Sequence, residues 1–183
     1  IATGGEFAGY IVISDVTKKD SRQAIDDIKK LGISDISICT GDEENVARAI
    51  SLNLGIKNYY SGLLPEGKVD IITDKVQDGK TVAFVGDGIN DAPVLTRADV
   101  GVAMGAMGSD AAVEAADMVL MDDDPGKLGT AVAISRKTMR IARQNIVFAL
   151  GIKAIVLLLA ALGIANMWLA VFADSGVALL CVL

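Results

Sequence analysis

The last forty residues of the chain are almost free of charge. The whole sequence holds 17 Lys and Arg and 23 Asp and Glu, yet only Lys153 and Asp174 fall within residues 144–183. An apolar stretch with so few charges must be covered by lipid or by other protein. The charged part ahead of it must fold by its own patterning. The chain is therefore two materials joined end to end, and its averages (52 % hydrophobic, 22 % charged, net charge −6) describe neither part. These averages exclude a disordered chain and a basic nucleic-acid binder, so no nucleic-acid partner is expected. The chain has no His, which removes the commonest general base and metal ligand. Chemistry here must run on carboxylates, Lys, Thr or backbone. Two cysteines, Cys39 and Cys181, are too few for a disulfide framework or a zinc cluster.

The chain starts without Met and stops inside an apolar run, so it reads as part of a longer protein. Residues 10–14 (YIVIS) predict a buried strand. Residues 20–31 place Ala24, Ile25, Ile28 and Leu31 at helical spacing, ended by Gly32. A strand over 36–39, a helix over 43–53 and a helix over 66–77 follow. Then come a strand over 81–85, a short helix near 92–97, a strand near 99–103, a helix near 109–115 and a strand over 117–121. Alternation of this kind predicts an α/β fold with right-handed crossovers and a parallel sheet. In such sheets, chemistry sits at the carboxyl ends of the strands.

Beyond Pro125, residues 127–145 predict a linking helix carrying Arg136, Lys137, Arg140 and Arg143. Ile146 to Ile164 is long enough, at about 28 Å, to cross a bilayer core. Met167 to Leu183 reads as a second span, with Trp168 at an interface position. A buried hairpin in a large soluble core is the alternative. The basic cluster before Ile146 places residues 1–145 in the cytoplasm.

Two strand ends carry candidate chemistry. Thr40-Gly41-Asp42 follows one strand; a hydroxyl and free backbone N–H groups there suit a phosphate. An ordinary helix cap by Asp42 is the competing reading. Gly86-Asp87-Gly88-Ile89-Asn90-Asp91-Ala92-Pro93 follows another strand. Its two glycines suit a sharp turn. Asp87 and Asp91, four apart, offer hard oxygen ligands for Mg²⁺.

GDGINDAP resembles the hinge motif of P-type ATPases, which belong to the haloacid dehalogenase-like superfamily. Thr40-Gly41-Asp42 resembles the family's TGD motif. Leu64-Pro65-Glu66-Gly67-Lys68 resembles its phosphate-lysine stretch, with Gly67 departing from the usual acidic residue. The resemblance implies a partial phosphorylation domain with a haloacid dehalogenase-like parallel sheet over 9–126. The end of a nucleotide-binding domain or connection would occupy 1–8, a linking helix 127–145, and a two-helix transmembrane hairpin 146–183. It implies ATP and Mg²⁺ as cofactors. Lys68 would neutralise the phosphate, Thr40 would hydrogen-bond it, and Asp87 would hold Mg²⁺ supported by Asp91 and Asn90. The nucleophilic Asp would lie upstream. Asp15 and Asp122 each follow a strand but lack the surrounding motif, and Asp122 also comes too late in chain order.

Asn145-Ile146, Ala149-Leu150-Gly151, Lys153, Met167-Trp168 and Ala173-Asp174-Ser175-Gly176 resemble the last two helices of the zinc, cadmium and lead exporters of that family. The resemblance makes Asp174 a ligand of the transported cation and Lys153 its counter-charge. The remaining ligands, a Cys-Pro-Cys helix, and the nucleotide domain would lie upstream in the same polypeptide. It also implies a bacterial cell membrane. A membrane-anchored phosphatase of the superfamily and a non-catalytic interaction fragment are the competing readings.

Overall fold

The computed structural model describes residues 1–10, 17–86, 91–105, 110–164, 166, 168 and 171–182. The predicted strand over 10–14 and the decoy Asp15 therefore lie largely or wholly outside the described residues, as do Asp87, Gly88, Ile89 and Asn90. The chain divides into two compact units, residues 1–129 and 130–183.

The first unit opens with a small antiparallel hairpin, β1 (Ala2–Thr3) on β2 (Glu6–Phe7). Helix α1 (Ser21–Lys30) buries Ala24 and Ile28, the spacing expected of an amphipathic helix. Strand β3 (Ser37–Cys39) is followed by α2 (Glu44–Leu54), β4 (Asn58–Tyr60) and α3 (Pro65–Gln77). Then come β5 (Ala83–Gly86), α4 (Ala92–Arg97), β6 (Val100–Met104), α5 (Asp110–Ala115) and β7 (Met118–Leu120).

The crossovers through α2, α4 and α5 join strands that pair in parallel, but besides the β1-β2 hairpin the described strands make two separate parallel sheets. β3 pairs β4, and β5-β6-β7 form a second sheet in that order. β4 has no counterpart in the sequence pattern. Asn-Tyr-Tyr is too short for alternation to register, and it is a strand only because its backbone pairs with β3.

The core lies between the three-stranded sheet and its helices. Ile72 of α3, Phe84 of β5, Val94 and Leu95 of α4 and Ala103 of β6 bury against one another. Fully buried Val94 and Leu95 each contribute on the order of 2 kcal/mol through area removed from water. Gly101 makes this packing possible. A Cβ there would stand 2.6 Å from the Leu95 carbonyl oxygen, so β6 can approach the backbone of α4 only as glycine. At the strand entries two aspartates extend the ladder. The Val82 N–H donates to Asp99 Oδ2 and the Gly101 N–H to Asp117 Oδ2, both at 2.8 Å.

Helix α6 runs unbroken over Gly126–Ala161, where the sequence predicts a linking helix and a separate span. Its start is capped. Asp124 Oδ1 accepts the Gly126 N–H at 2.8 Å, and Pro125 immediately precedes the helix. Its end is equally defined. The Ile164 N–H donates to the Leu159 carbonyl and the Gly163 N–H to that of Ala160, with Gly163 at φ 73°. That is a Schellman closure around a left-handed residue.

Among the described residues, α6 is the one helix long and apolar enough to cross a membrane. The predicted second span differs from expectation. Its described part is a π-helical turn, Phe172–Gly176, followed by a short helix, α7 (Val177–Val182). A Cβ on Gly176 would meet the Phe172 ring at 2.7 Å, so the wide turn closes over a glycine. The described residues thus give one long apolar helix and, over 171–182, a further helical stretch that contains the π turn; they do not clearly make a two-helix hairpin.

Candidate active site

The site assembles at the carboxyl ends of β3 and β5. After Cys39 the chain leaves the sheet as Thr40-Gly41-Asp42. The Thr40 hydroxyl donates to Asp42 Oδ2 at 2.7 Å, and the Asp42 N–H returns a bond to Thr40 Oγ1 at 3.1 Å. Asp42 therefore does not cap α2. Glu43 holds the cap position, with no side-chain cap bond. The loop is pinned to the segment that delivers α3: the Leu63 N–H donates to the Thr40 carbonyl at 3.0 Å and the Gly62 N–H to that of Asp42 at 2.8 Å. Gly41 lies against this segment, where a Cβ would stand 3.3 Å from the Leu63 carbonyl oxygen.

Pro65 starts α3, and Lys68 lies in its first turn. Ile72, four residues on, shares the face of Lys68. Because Ile72 packs in the core, Lys68 is aimed toward the start of α4. There its ammonium meets Asp91 Oδ1 at 2.7 Å, with the two side chains only 16 % and 12 % exposed. Asp91 occupies the N-cap position of α4, yet its carboxylate makes no cap bond. Its backbone carbonyl accepts the N–H groups of Val94 and Leu95 instead. The side chain is left for the ammonium. A second tie between the helices, Arg97 Nε donating to Thr73 Oγ1 at 2.9 Å, fixes α3 against α4.

Gly86 has a different role from the turn residue that the sequence suggests. Its φ is not in the left-handed region. A Cβ there would instead stand 2.8 Å from Asp91 Oδ2 and 3.0 Å from the Phe84 ring. Glycine lets the strand end approach the carboxylate. Ile72 does not stand out by type in the sequence. The i, i+4 spacing of Lys68 and Ile72 was the available signal.

Cys39 links the two strand ends electrostatically. Burial pushes its thiol above the ordinary range, against the opposing charges of Lys68 and Lys75, while Asp91 acts in the same sense as burial. Lys75 also lies over the ring of Tyr60, 5.9 Å from its centroid. A half-buried thiol held protonated is a poor nucleophile.

Of the sequence-predicted site residues, the structure brings Thr40 together with Asp42, and Lys68 with Asp91. Asp87 and Asn90 lie outside the described residues. Lys153 is on α6 in the second unit, and the backbone of Asp174 is in the π turn, its side chain lying outside the description. The acidic run 122–124 is engaged structurally: Asp122 pairs with Lys127, Asp123 with Lys18, and Asp124 caps α6. No cluster of three or more metal-binding side chains occurs among the described residues.

A largely buried ammonium–carboxylate pair can bind an anion and a hard cation together. The donors are oxygens, and Asp91 keeps one carboxylate oxygen off the lysine, which suits Mg²⁺. A family model described as hydrolase, haloacid dehalogenase-like hydrolase, matches residues 1–99. The chain belongs to this family. The haloacid dehalogenase-like chain is 52 % identical, over its full length, to a zinc-transporting ATPase of Synechocystis sp.. It is also 52 % identical to a cadmium, zinc and cobalt-transporting ATPase of Bacillus subtilis. It covers 26 % of each, so the chain spans about a quarter of the length of these curated relatives. Among solved structures, a zinc-transporting PIB-type ATPase in its E2.Pi state matches with a TM-score of 0.84 and 41 % identity. That match covers 91 % of this chain and 27 % of the other.

Proposed function

We propose that the chain is the carboxy-terminal part of a P-type ATPase that exports a soft divalent cation of the zinc, cadmium and lead class. ATP hydrolysis through an aspartyl phosphate drives the export. The observation that carries this reading is the largely buried Lys68–Asp91 pair, 2.7 Å long, at the start of α4. Full-length similarity to zinc- and cadmium-transporting ATPases supports it.

In this reading Lys68 neutralises the phosphoryl charge, the Gly41 N–H hydrogen-bonds its oxygens, and the Thr40 hydroxyl and Asp42 N–H turn to it from the bonds they make with each other. Phosphoryl transfer depends mainly on such positioning and charge neutralisation. Asp87 and Asp91 would hold Mg²⁺, with Asn90 orienting them; the ion supplies charge neutralisation at the transferring group. The nucleophilic Asp and the nucleotide domain belong upstream in the same polypeptide. So does a Cys-Pro-Cys helix that shares the transported cation with Asp174. Lys153 acts as the counter-charge that occupies Asp174 once the cation leaves. The exposed apolar length of α6 supports placement in a bilayer, here a bacterial cell membrane, with residues 1–145 cytoplasmic.

Two experiments test this. The 183-residue chain incubated with radiolabelled ATP and Mg²⁺ stays unlabelled. A hydroxylamine-sensitive, acid-stable phosphate on Asp15 would show a self-contained phosphatase instead. In the intact polypeptide, Lys68→Ala abolishes metal-stimulated ATP hydrolysis, and Lys153→Ala slows metal release. Unchanged turnover and release in both variants would refute the assignment.

A further inference from the structure

Helix α6 has two distinct faces. Ala142, Asn145, Ala149, Ile152, Val156 and Leu159 are its partly or fully buried positions across the apolar region, spaced three and four apart. On the opposite side, at 100° per residue, Arg136, Arg140, Arg143, Val147, Leu150 and Leu158 fall within about 40° of a single line. All six are exposed. The upper half of this line is three guanidiniums spread over about 10 Å of helix. The lower half is apolar, and the change comes at Ile146, where the charge-free stretch begins. Within α6 no Asp or Glu stands beside Arg140 and Arg143. A shallow open groove runs along the junction, lined by Met139, Arg140, Arg143, Val147 and Phe148.

We infer that this face of α6 binds an anionic phospholipid of the cytoplasmic leaflet. The headgroup phosphate is held by Arg140 and Arg143 with Arg136 above them, and an acyl chain lies along Val147, Leu150 and Leu158. Guanidinium forks match phosphate oxygens, and the register places them at headgroup depth while the same stripe continues as a lipid-facing surface. Lys137 lies about 100° around the helix, so it adds charge at the same depth without joining the stripe.

The inference rests on α6 spanning the bilayer. The test uses the 183-residue chain reconstituted in phosphatidylcholine vesicles. Alkaline extraction establishes insertion, and spin-labelled phosphatidylglycerol and phosphatidylcholine report which lipid is held beside the protein. The expected result is selectivity for phosphatidylglycerol that falls about fivefold with Arg140→Gln and again with Arg143→Gln. Arg140→Lys keeps most of it, and Lys137→Gln changes it less than twofold. Equal losses for Lys137→Gln and Arg140→Gln would show diffuse surface charge and overturn the site. So would an absence of selectivity in an inserted chain. A chain that alkali extracts overturns the spanning reading along with it. In the intact polypeptide a photoreactive phosphatidylglycerol should label α6; selectivity in the chain without that label would show that protein covers this face instead.

Discussion

Replacing Lys68 by Met isolates the interaction on which the site is built. At 2.7 Å the ammonium and the Asp91 carboxylate attract by about 6 kcal/mol at an effective dielectric near 20. Desolvation of both groups offsets most of that, so the pair itself is worth little net. Removing one partner is different, because the other charge stays behind with little solvent. Breaking a fully buried pair costs about 3–5 kcal/mol. Since Asp91 and Lys68 keep 12 % and 16 % of their exposure, about 2–3 kcal/mol is expected for Lys68→Met. Asp91→Asn should cost less, because Asn can turn back and make the α4 cap bond that Asp91 forgoes. The double variant Lys68→Met/Asp91→Leu removes both charges and should return to within about 1 kcal/mol of the parent. Native-state hydrogen exchange at the Val94 and Leu95 amides, which bond the Asp91 carbonyl, reads the local opening free energy in each variant. A Lys68→Met effect below about 0.5 kcal/mol would refute the argument. So would a double variant as unstable as the single.

Three further outcomes are expected. Gly101→Ala should destabilise the first unit by about 2–3 kcal/mol in urea titration, because the Leu95 backbone must move, whereas Gly151→Ala, with nothing within 4 Å, should stabilise α6 by about 0.5–1 kcal/mol. Cys39 in a Cys181→Ala background should react with iodoacetamide at pH 7.5 far more slowly than a free thiol, since burial raises its pKa; a rate near that of glutathione would contradict this. The Asp35–Lys80 pair has a definite pH sign. The Lys80 hydrogen bond lowers the Asp35 pKa, so its contribution is present above the ordinary Asp value and is lost as pH falls through the lower folded value. The Asp35 hydrogen bond raises Lys80, so its contribution is present below the ordinary Lys value and is lost as pH rises through the higher folded one. The stability difference between parent and Lys80→Ala should therefore be flat through neutral pH and fade below about pH 4 and above about pH 10.5. A difference that peaks at either extreme would reverse the assignment.

The legible parts of this chain were those set by nearest neighbours along the sequence. Ala24 and Ile28 at helical spacing predicted α1, the helix over 66–77 fell within one residue of α3, and alternation of strands with helices predicted parallel pairing. The near absence of charge after residue 143 marked out an apolar segment. Thr40, Lys68 and Asp91 were legible as types at motif spacing. Their mutual geometry was not, because Lys68 and Asp91 are 23 residues apart and meet only through packing of Ile72 between α3 and α4. The two-helix reading of the tail is met only in part, for a related reason. Composition reports that a segment is apolar, whereas the Gly163 closure and the wide turn at Gly176 depend on φ values and ring contacts.

The sequence by itself thus determined the partition into a charged α/β part and an apolar helical part, and the residue types available for phosphate chemistry. These follow from periodicity and composition, which are local. Only the tertiary structure decided that the Asp91 carboxylate turns from its own helix cap to Lys68, and that Gly86 and Gly101 serve close approach rather than turning. It alone split the described parallel strands into two sheets. Each of these depends on atoms far apart in the chain being forced within 3 Å of one another, and burial is what makes that proximity binding.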